Sequence, residues 1–208
     1  DGLLRDYTAS LSPDRARLLR RYRIQDVVRK VVGVGSVGTS CWVILLQGTD
    51  ADDPLFLQVK EAGPSVLAPY ATTKFHFENN GLRVVTGQRL IQGSPDIFLG
   101  WGRSVSVNAK DYYVRQLADM KGSFKMVEND RGGIKGLMNY CDLCGWALAL
   151  AHAKSGDAAM IAGYCGEGDA LPEAIGLFAD RYAEQNAADH DRLLAAIRAR
   201  RIRATRNV

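Results

Sequence analysis

Val31-Val32-Gly33-Val34-Gly35-Ser36-Val37-Gly38-Thr39-Ser40-Cys41-Trp42-Val43-Ile44-Leu45-Leu46 admits two architectures. A G-x-G-x-x-G loop opens either into a helix, as in a dinucleotide-binding βαβ unit, or into a second strand, as in the phosphate-covering loop of a kinase. The residues after Gly38 favour the strand, because Cys41 to Leu46 form a continuous run of apolar, largely β-forming side chains. No acidic residue ends a second parallel strand about twenty positions on. That region instead holds the turn Asp50-Ala51-Asp52-Asp53-Pro54 and then Lys60. Strand, glycine loop, strand, turn, strand is an antiparallel meander.

A kinase-like site expects a lysine on the strand after the loop. In the expected strand 55–62, Leu55, Leu57 and Val59 share one face, while Phe56, Gln58 and Lys60 share the other. Lys60 then lies below the loop, where an ammonium group pairs with phosphate oxygens. Gly33, Gly35, Ser36 and Gly38 are the expected phosphate cradle, since glycine lets backbone amides approach an anion unobstructed. The competing reading is a glycine-rich hairpin beside an ordinary surface lysine. Further on, 111–117 reads as a strand running into a polar linker, as in a hinge between lobes. Backbone groups of Gln116, Leu117, Ala118 and Asp119 are therefore candidates for the adenine edge. The expected ligand is ATP, with Mg²⁺ accompanying its phosphates.

Around this centre, Ser12-Pro13-Asp14 marks a helix start and Leu18, Leu19 and Tyr22 supply its apolar stripe. A short helix is expected over 81–92, paired strands over 97–107 and 111–117, and helices over 136–154, 171–186 and about 188–203. The predicted fold is α+β: an antiparallel five-stranded sheet with one inserted helix, followed by a helical C-terminal part. Two lobes are expected, 1–118 and 119–208.

Composition agrees with an ordinary globular protein of 208 residues, 47% hydrophobic and 24% charged. No run of eighteen apolar residues predicts a membrane span, and no apolar core near the N-terminus predicts a signal peptide. The lack of an initiating Met leads to the expectation that the numbering starts inside a longer product. Cys141 and Cys144 form a C-x-x-C without a second pair or nearby histidines, so zinc is not expected. They are predicted to be reduced and buried on a helix, which suits a cytoplasmic protein. His152, Ser155 and Asp157 resemble a nucleophilic set, but their closeness at a helix end predicts an exit and turn. Trp42, Trp101 and Trp146 are expected in the core. Arg198, Arg200, Arg201, Arg203 and Arg206 form a basic tail whose charge complements a helix C-terminus; contact with nucleic acid ranks last among its readings.

Several motifs together resemble a bacterial family known as domain of unknown function 2252. They are Arg21-Tyr22-Arg23 with Val31 to Thr39, Leu57-Gln58-Val59-Lys60-Glu61-Ala62, Asp96-Ile97-Phe98-Leu99-Gly100-Trp101 and Tyr113-Val114-Arg115-Gln116-Leu117. Leu143 to Ala149, leading to Ala151 to Asp157, completes the set, and the resemblance spans about 15–198. It implies a rearranged kinase-like protein whose Gly-Asp-x-His-x-x-Asn catalytic loop and acidic metal motif precede the segment seen here. By that reading the chain corresponds to the C-terminal half, with the N-terminal half as an implied partner. Asn80 stands where the family usually has His, and Thr86 near a usual acidic residue. If that acid is the ion-pair partner of the strand lysine, Lys60 has lost it. Glu78 or Glu61 could compensate, although Glu61 belongs to the opposite strand face. Ser40 stands where protein kinases carry Val. Two functions follow as expectations: the ATP-binding half of a kinase-like phosphotransferase, inactive alone, or a non-catalytic module binding a metabolite or protein.

Overall fold

The structure, a computed structural model, describes residues 2–31, 33, 38–50, 52–72, 76–105, 108–117 and 131–204. Two helices come first, α1 (Gly2–Ser10) and α2 (Pro13–Leu19). The strands β1 (Arg23–Arg29), β2 (Cys41–Gln47) and β3 (Pro54–Ala62) follow, then α3 (Asn80–Ile91), β4 (Gly100–Arg103) and β5 (Asp111–Gln116). Three helices complete the chain: α4 (Arg131–Ser155), α5 (Ala158–Cys165) and α6 (Ala170–Arg198). They divide into two compact units, Asp1–Gly156 and Asp157–Val208. The boundary expected at 118/119 lies among residues outside the described set, and α4 groups with the first unit.

The first unit is built on a five-stranded antiparallel sheet in the order β1-β2-β3-β5-β4, so the predicted α+β class and strand count hold. Central β3 pairs along its length with β2 and β5, setting Cys41 opposite Lys60 and Lys60 opposite Tyr113. Alternation along β3 then sorts the two faces. Leu55, Leu57 and Val59 join Ile44, Leu46, Tyr112 and Val114 in a core closed by Tyr7, Leu11, Ala16 and Leu19 of α1 and α2. Tyr7 is fully buried, and its hydroxyl donates to the Phe98 carbonyl at 2.8 Å. Gly100 makes this packing possible, since a Cβ there would lie 2.5 Å from Ser10 Oγ and 2.8 Å from the Tyr7 ring.

α3 is fastened to the sheet by one buried carboxylate. Asp111 accepts from Arg103 Nε at 2.7 Å, Asn79 Nδ2 at 2.9 Å, and the Asn80 backbone N–H at 2.8 Å. Asn79 also caps the helix, its Oδ1 accepting from the Leu82 N–H. Gly81 permits the close dock, because a Cβ there would come 2.1 Å from the Tyr112 carbonyl oxygen. Burial opposes ionisation of Asp111, but the hydrogen bonds and charge of Arg103, with those from Asn80, outweigh it and hold its carboxyl below the ordinary range.

Several expectations need correction. Among the described residues of the strand predicted over 97–107, only Gly100–Arg103 are in strand, because Asp96 draws the Phe98 N–H into a turn beforehand; 106–107 lie outside the described residues. The helices predicted over 171–186 and 188–203 are one helix, α6, and α5 was not foreseen. Cys141 and Cys144 are exposed rather than buried, and Trp146 is 64% exposed. Helical spacing along α4 identifies an apolar stripe without saying whether anything covers it. Trp42 also sits largely outside the core at 36% exposure, while Trp101 is half-buried. Ser12 occupies the cap position of α2 without a capping hydrogen bond from its side chain. The turn expected at 155–157 is found: Ser155 Oγ donates to the Ala151 carbonyl, and Asp157 caps α5 by accepting from the Met160 N–H.

In the second unit α6 ends in a Schellman arrangement. Arg200 N–H donates to the Ile197 carbonyl and Arg201 N–H to the Ala196 carbonyl, both at 2.9 Å. Arg200 adopts φ 57°, a left-handed conformation that glycine occupies more easily. Among the described residues no helix is long and apolar enough to cross a membrane.

Two stability measurements follow from this packing. Asp111→Asn should cost about 2–3 kcal/mol in denaturant unfolding, through the loss of a buried, charge-assisted clamp. A depressed folded pKa contributes stability above the unfolded carboxylate value, near 4, and that contribution fades as pH falls through the folded value. The variant's stability should therefore fall less steeply than wild type on acidification below about pH 4. Arg200→Gly should stabilise the end of α6 by about 0.5–1 kcal/mol, read as slower amide exchange at 196–201.

Candidate functional site

Lys60 leaves the sheet on the face opposite the α1/α2 core. Its strand neighbours there are Gln58, Cys41, Tyr113 and Arg115, placed by the pairings of β3 with β2 and β5. Gln58 and Cys41 are buried, so the base of this face is closed, while Lys60 itself is half-buried. Among the described residues its ammonium group has no hydrogen bond and no ion pair.

The departures noted in the sequence account for this. α3 carries Arg83 and Arg89 but no carboxylate, and Thr86 is exposed. Glu61 points the other way, as the pleat requires, and is committed elsewhere. Its Oε2 accepts from Lys110 Nζ and from the Ser40 N–H, both at 2.9 Å. Burial works against ionisation of Glu61, but these hydrogen bonds prevail and keep its carboxyl below the ordinary range. Glu78 lends its carbonyl oxygen to Arg103, and its charge acts on the same guanidinium.

The glycine segment connects β1 to β2, and its exit runs into a strand rather than a helix, as expected. The Lys30 N–H donates to the Cys41 carbonyl and the Glu61 N–H to the Ser40 carbonyl, both at 2.9 Å. These bonds fix both ends of the segment beside Lys60. Gly38 has φ +87°, with nothing within 4 Å of where a Cβ would sit. Its glycine is thus required by backbone conformation and not by crowding. Gly33 is likewise open around its Cα. Gly35 and Ser36 lie outside the described residues.

At the end of β5 two of the expected adenine-facing amides are already engaged. Gln116 N–H donates to Asp96 Oδ2 and Leu117 N–H to the Phe56 carbonyl, the latter at 2.9 Å. Donors for a purine edge would have to come from Ala118 and Asp119, which lie outside the described residues. Gln116 and Leu117 instead edge a groove of about 590 Å³ between the C-terminal end of α3, the 92–97 loop and the end of β5. Nothing in the sequence singled out this groove, because it joins residues from three separate segments. For Mg²⁺, no cluster of three or more His, Cys, Asp or Glu side chains suited to a metal ion occurs among the described residues.

Residues 1–196 match the model of the family described as an uncharacterized protein conserved in bacteria (DUF2252), and the chain belongs to that family. No curated protein and no solved structure matches it.

The left-handed conformation at Gly38 makes the loop sensitive to a single methyl group. Gly38→Ala should lower stability by about 1–2 kcal/mol in chemical unfolding, whereas Gly33→Ala should change it by less than about 0.5 kcal/mol.

Proposed function

We propose that this member of the family binds the phosphates of a nucleotide, ATP foremost, and forms the nucleotide-holding half of a kinase-like phosphotransferase. One observation carries the reading: the half-buried residue Lys60 has no counter-charge among the described residues and sits on the sheet face beside both anchored ends of the glycine segment. Two further features support it. A lysine on the strand after a glycine hairpin, followed by an inserted helix, is the arrangement in which protein kinases hold the α- and β-phosphates. The glycine segment, with Gly38 in a left-handed conformation, could bring uncharged backbone donors to the same oxygens, with Ser36 a hydroxyl donor.

Binding is the step assigned to these residues. Bound Mg²⁺ would neutralise charge on the β- and γ-phosphates, and its ligands, like the carboxylate that receives the acceptor's proton, belong to a preceding segment in this reading. Kinases lock the strand lysine with a helix carboxylate. Here α3 offers none, so the ammonium group depends on the ligand itself for neutralisation. That absence, with the engaged amides of Gln116 and Leu117, favours a second reading in which the same lobe is a non-catalytic module for a phosphorylated metabolite.

ATP titration by calorimetry, with and without Mg²⁺, tests the proposal on wild type and Lys60→Ala. A charge-assisted contact of about 1.5–3 kcal/mol predicts at least a tenfold weaker dissociation constant in the variant. Equal affinity in both proteins, or no heat with ATP at all, would remove the nucleotide reading.

A further inference from the structure

The groove at the end of β5 carries an inference independent of whether a nucleotide binds at Lys60. Its volume, about 590 Å³, is in the range of small-molecule sites. Its walls are unusually polar: Gln88 and Gln92 from α3, Ser94 and Asp96 from the following loop, and Arg115 and Gln116 from β5. Arg115 and Asp96 carry opposite charges but do not pair with each other, because the Asp96 carboxylate is turned to backbone amides instead. One of its carboxylate oxygens accepts from the Phe98 N–H and the other from the Gln116 N–H. Both bonds pin the loop to the strand, and Asp96 makes no ion pair with Arg115.

Arg115 is left with a neutral partner only. Its Nε and one terminal nitrogen reach Gln58 Oε1 at 3.4 and 3.3 Å, distances at the weak end for a hydrogen bond. Gln58 is 4% exposed and cannot leave, so this contact orients the guanidinium without neutralising it. The amides of Gln88 and Gln92 and the hydroxyl of Ser94 have no side-chain hydrogen bonds among the described residues. A guanidinium held loosely beside Gln58, with amide and hydroxyl groups around it that make no other side-chain hydrogen bonds among the described residues, suits a compact oxyanion carried on a polar body.

We infer that this groove binds a small phosphate- or carboxylate-bearing metabolite, with Arg115 as its charged ligand and Gln88, Gln92 and Ser94 as neutral ones. The site is separate from the one proposed at Lys60. Lys60 and Arg115 share a sheet face but lie two residues apart along adjacent strands, since Lys60 pairs with Tyr113 and Gln58 with Arg115. The uncharged Gln58 and Tyr113 stand between them.

The test is an amide-resolved NMR titration of the whole chain with inorganic phosphate and, separately, with citrate. Saturable shifts are expected at Gln92, Ser94 and Gln116 with at least one of the two probes. Arg115→Gln should weaken that response at least about tenfold. Arg115→Lys should restore it in part, because the charge returns without the fork, and Gln88→Ala should weaken it severalfold. Lys60→Ala should weaken it much less than Arg115→Gln does, since it removes a nearby charge and no ligand of the groove, which separates failure here from failure of nucleotide binding. Shifts confined to the 30–40 segment and abolished by Lys60→Ala would overturn the inference. So would a response at 92–94 that Arg115→Gln leaves intact, or no saturable response to either probe.

Discussion

The register of β3 between β2 and β5 is the constraint on which the first unit rests. Cys41 stands opposite Lys60 on one side and Tyr113 on the other, and every assignment of face follows from those two pairings. Side chains alternate with a period of two, so a slip of one residue would carry Lys60 and Gln58 into the core beside Tyr7 and expel Leu57 and Val59. Leu57 and Val59 are 1% and 2% exposed. Losing two fully buried aliphatic side chains while burying an unpaired ammonium group would cost several kcal/mol, a large share of the stability of a small domain. The hydrophobic pattern of one face thereby aims the polar residues of the other.

The same alternation separates two adjacent charges into unrelated tasks. Glu61 turns toward Lys110 and the Ser40 N–H and ties the exit of the glycine segment to the sheet. Lys60, its neighbour, turns away and finds no carboxylate among the described residues. Were the two on one face they would neutralise each other, and the sheet would present no free cation beside the loop. Asp111 performs a comparable anchoring role for α3, and Asp96 for the loop before β4. Three carboxylates in the first unit are thus consumed in holding backbone and neighbouring cations. Among the described residues Lys60 and Arg115 pair with no carboxylate, and Arg115 touches only the neutral Gln58.

Much of this was legible in the sequence, and the part that was not has definite causes. The strand after Gly38, the two faces of β3 and the placement of Glu61 opposite Lys60 all follow from short-range periodicity, which a sheet preserves. The cap and glycine at 79–81 could mark a helix start but not its docking, because Asp111 and Arg103 reach it from distant segments. The groove was invisible for the same reason: its residues come from positions 88–97 and 115–117 and converge only once β5 has paired. The error at Cys141, Cys144 and Trp146 differs in kind. An apolar stripe at helical spacing predicts a surface that would gain by being covered, and in the structure α4 keeps that stripe exposed.

Two like charges directed from one sheet face impose a cost that bears on function. The strand spacing puts the backbones of Lys60 and Arg115 about 8 Å apart. Two positive charges at about that separation repel by about 0.5 kcal/mol in water, and the long side chains that carry them can spread further. A fold under no other demand could remove the cost by one substitution, placing a carboxylate on α3 or replacing either cation with a neutral side chain. Among the described residues neither cation pairs with a carboxylate, since Asp96, Glu61 and Asp111 serve other bonds, and the repulsion between the two stands. The packing core tolerates the penalty because it lies on the far side of the sheet, where Leu57, Val114 and Tyr7 are unaffected by charge on the near side. Separation of a stable face from a charged one is what allows a small antiparallel sheet to keep unpaired cations and remain folded.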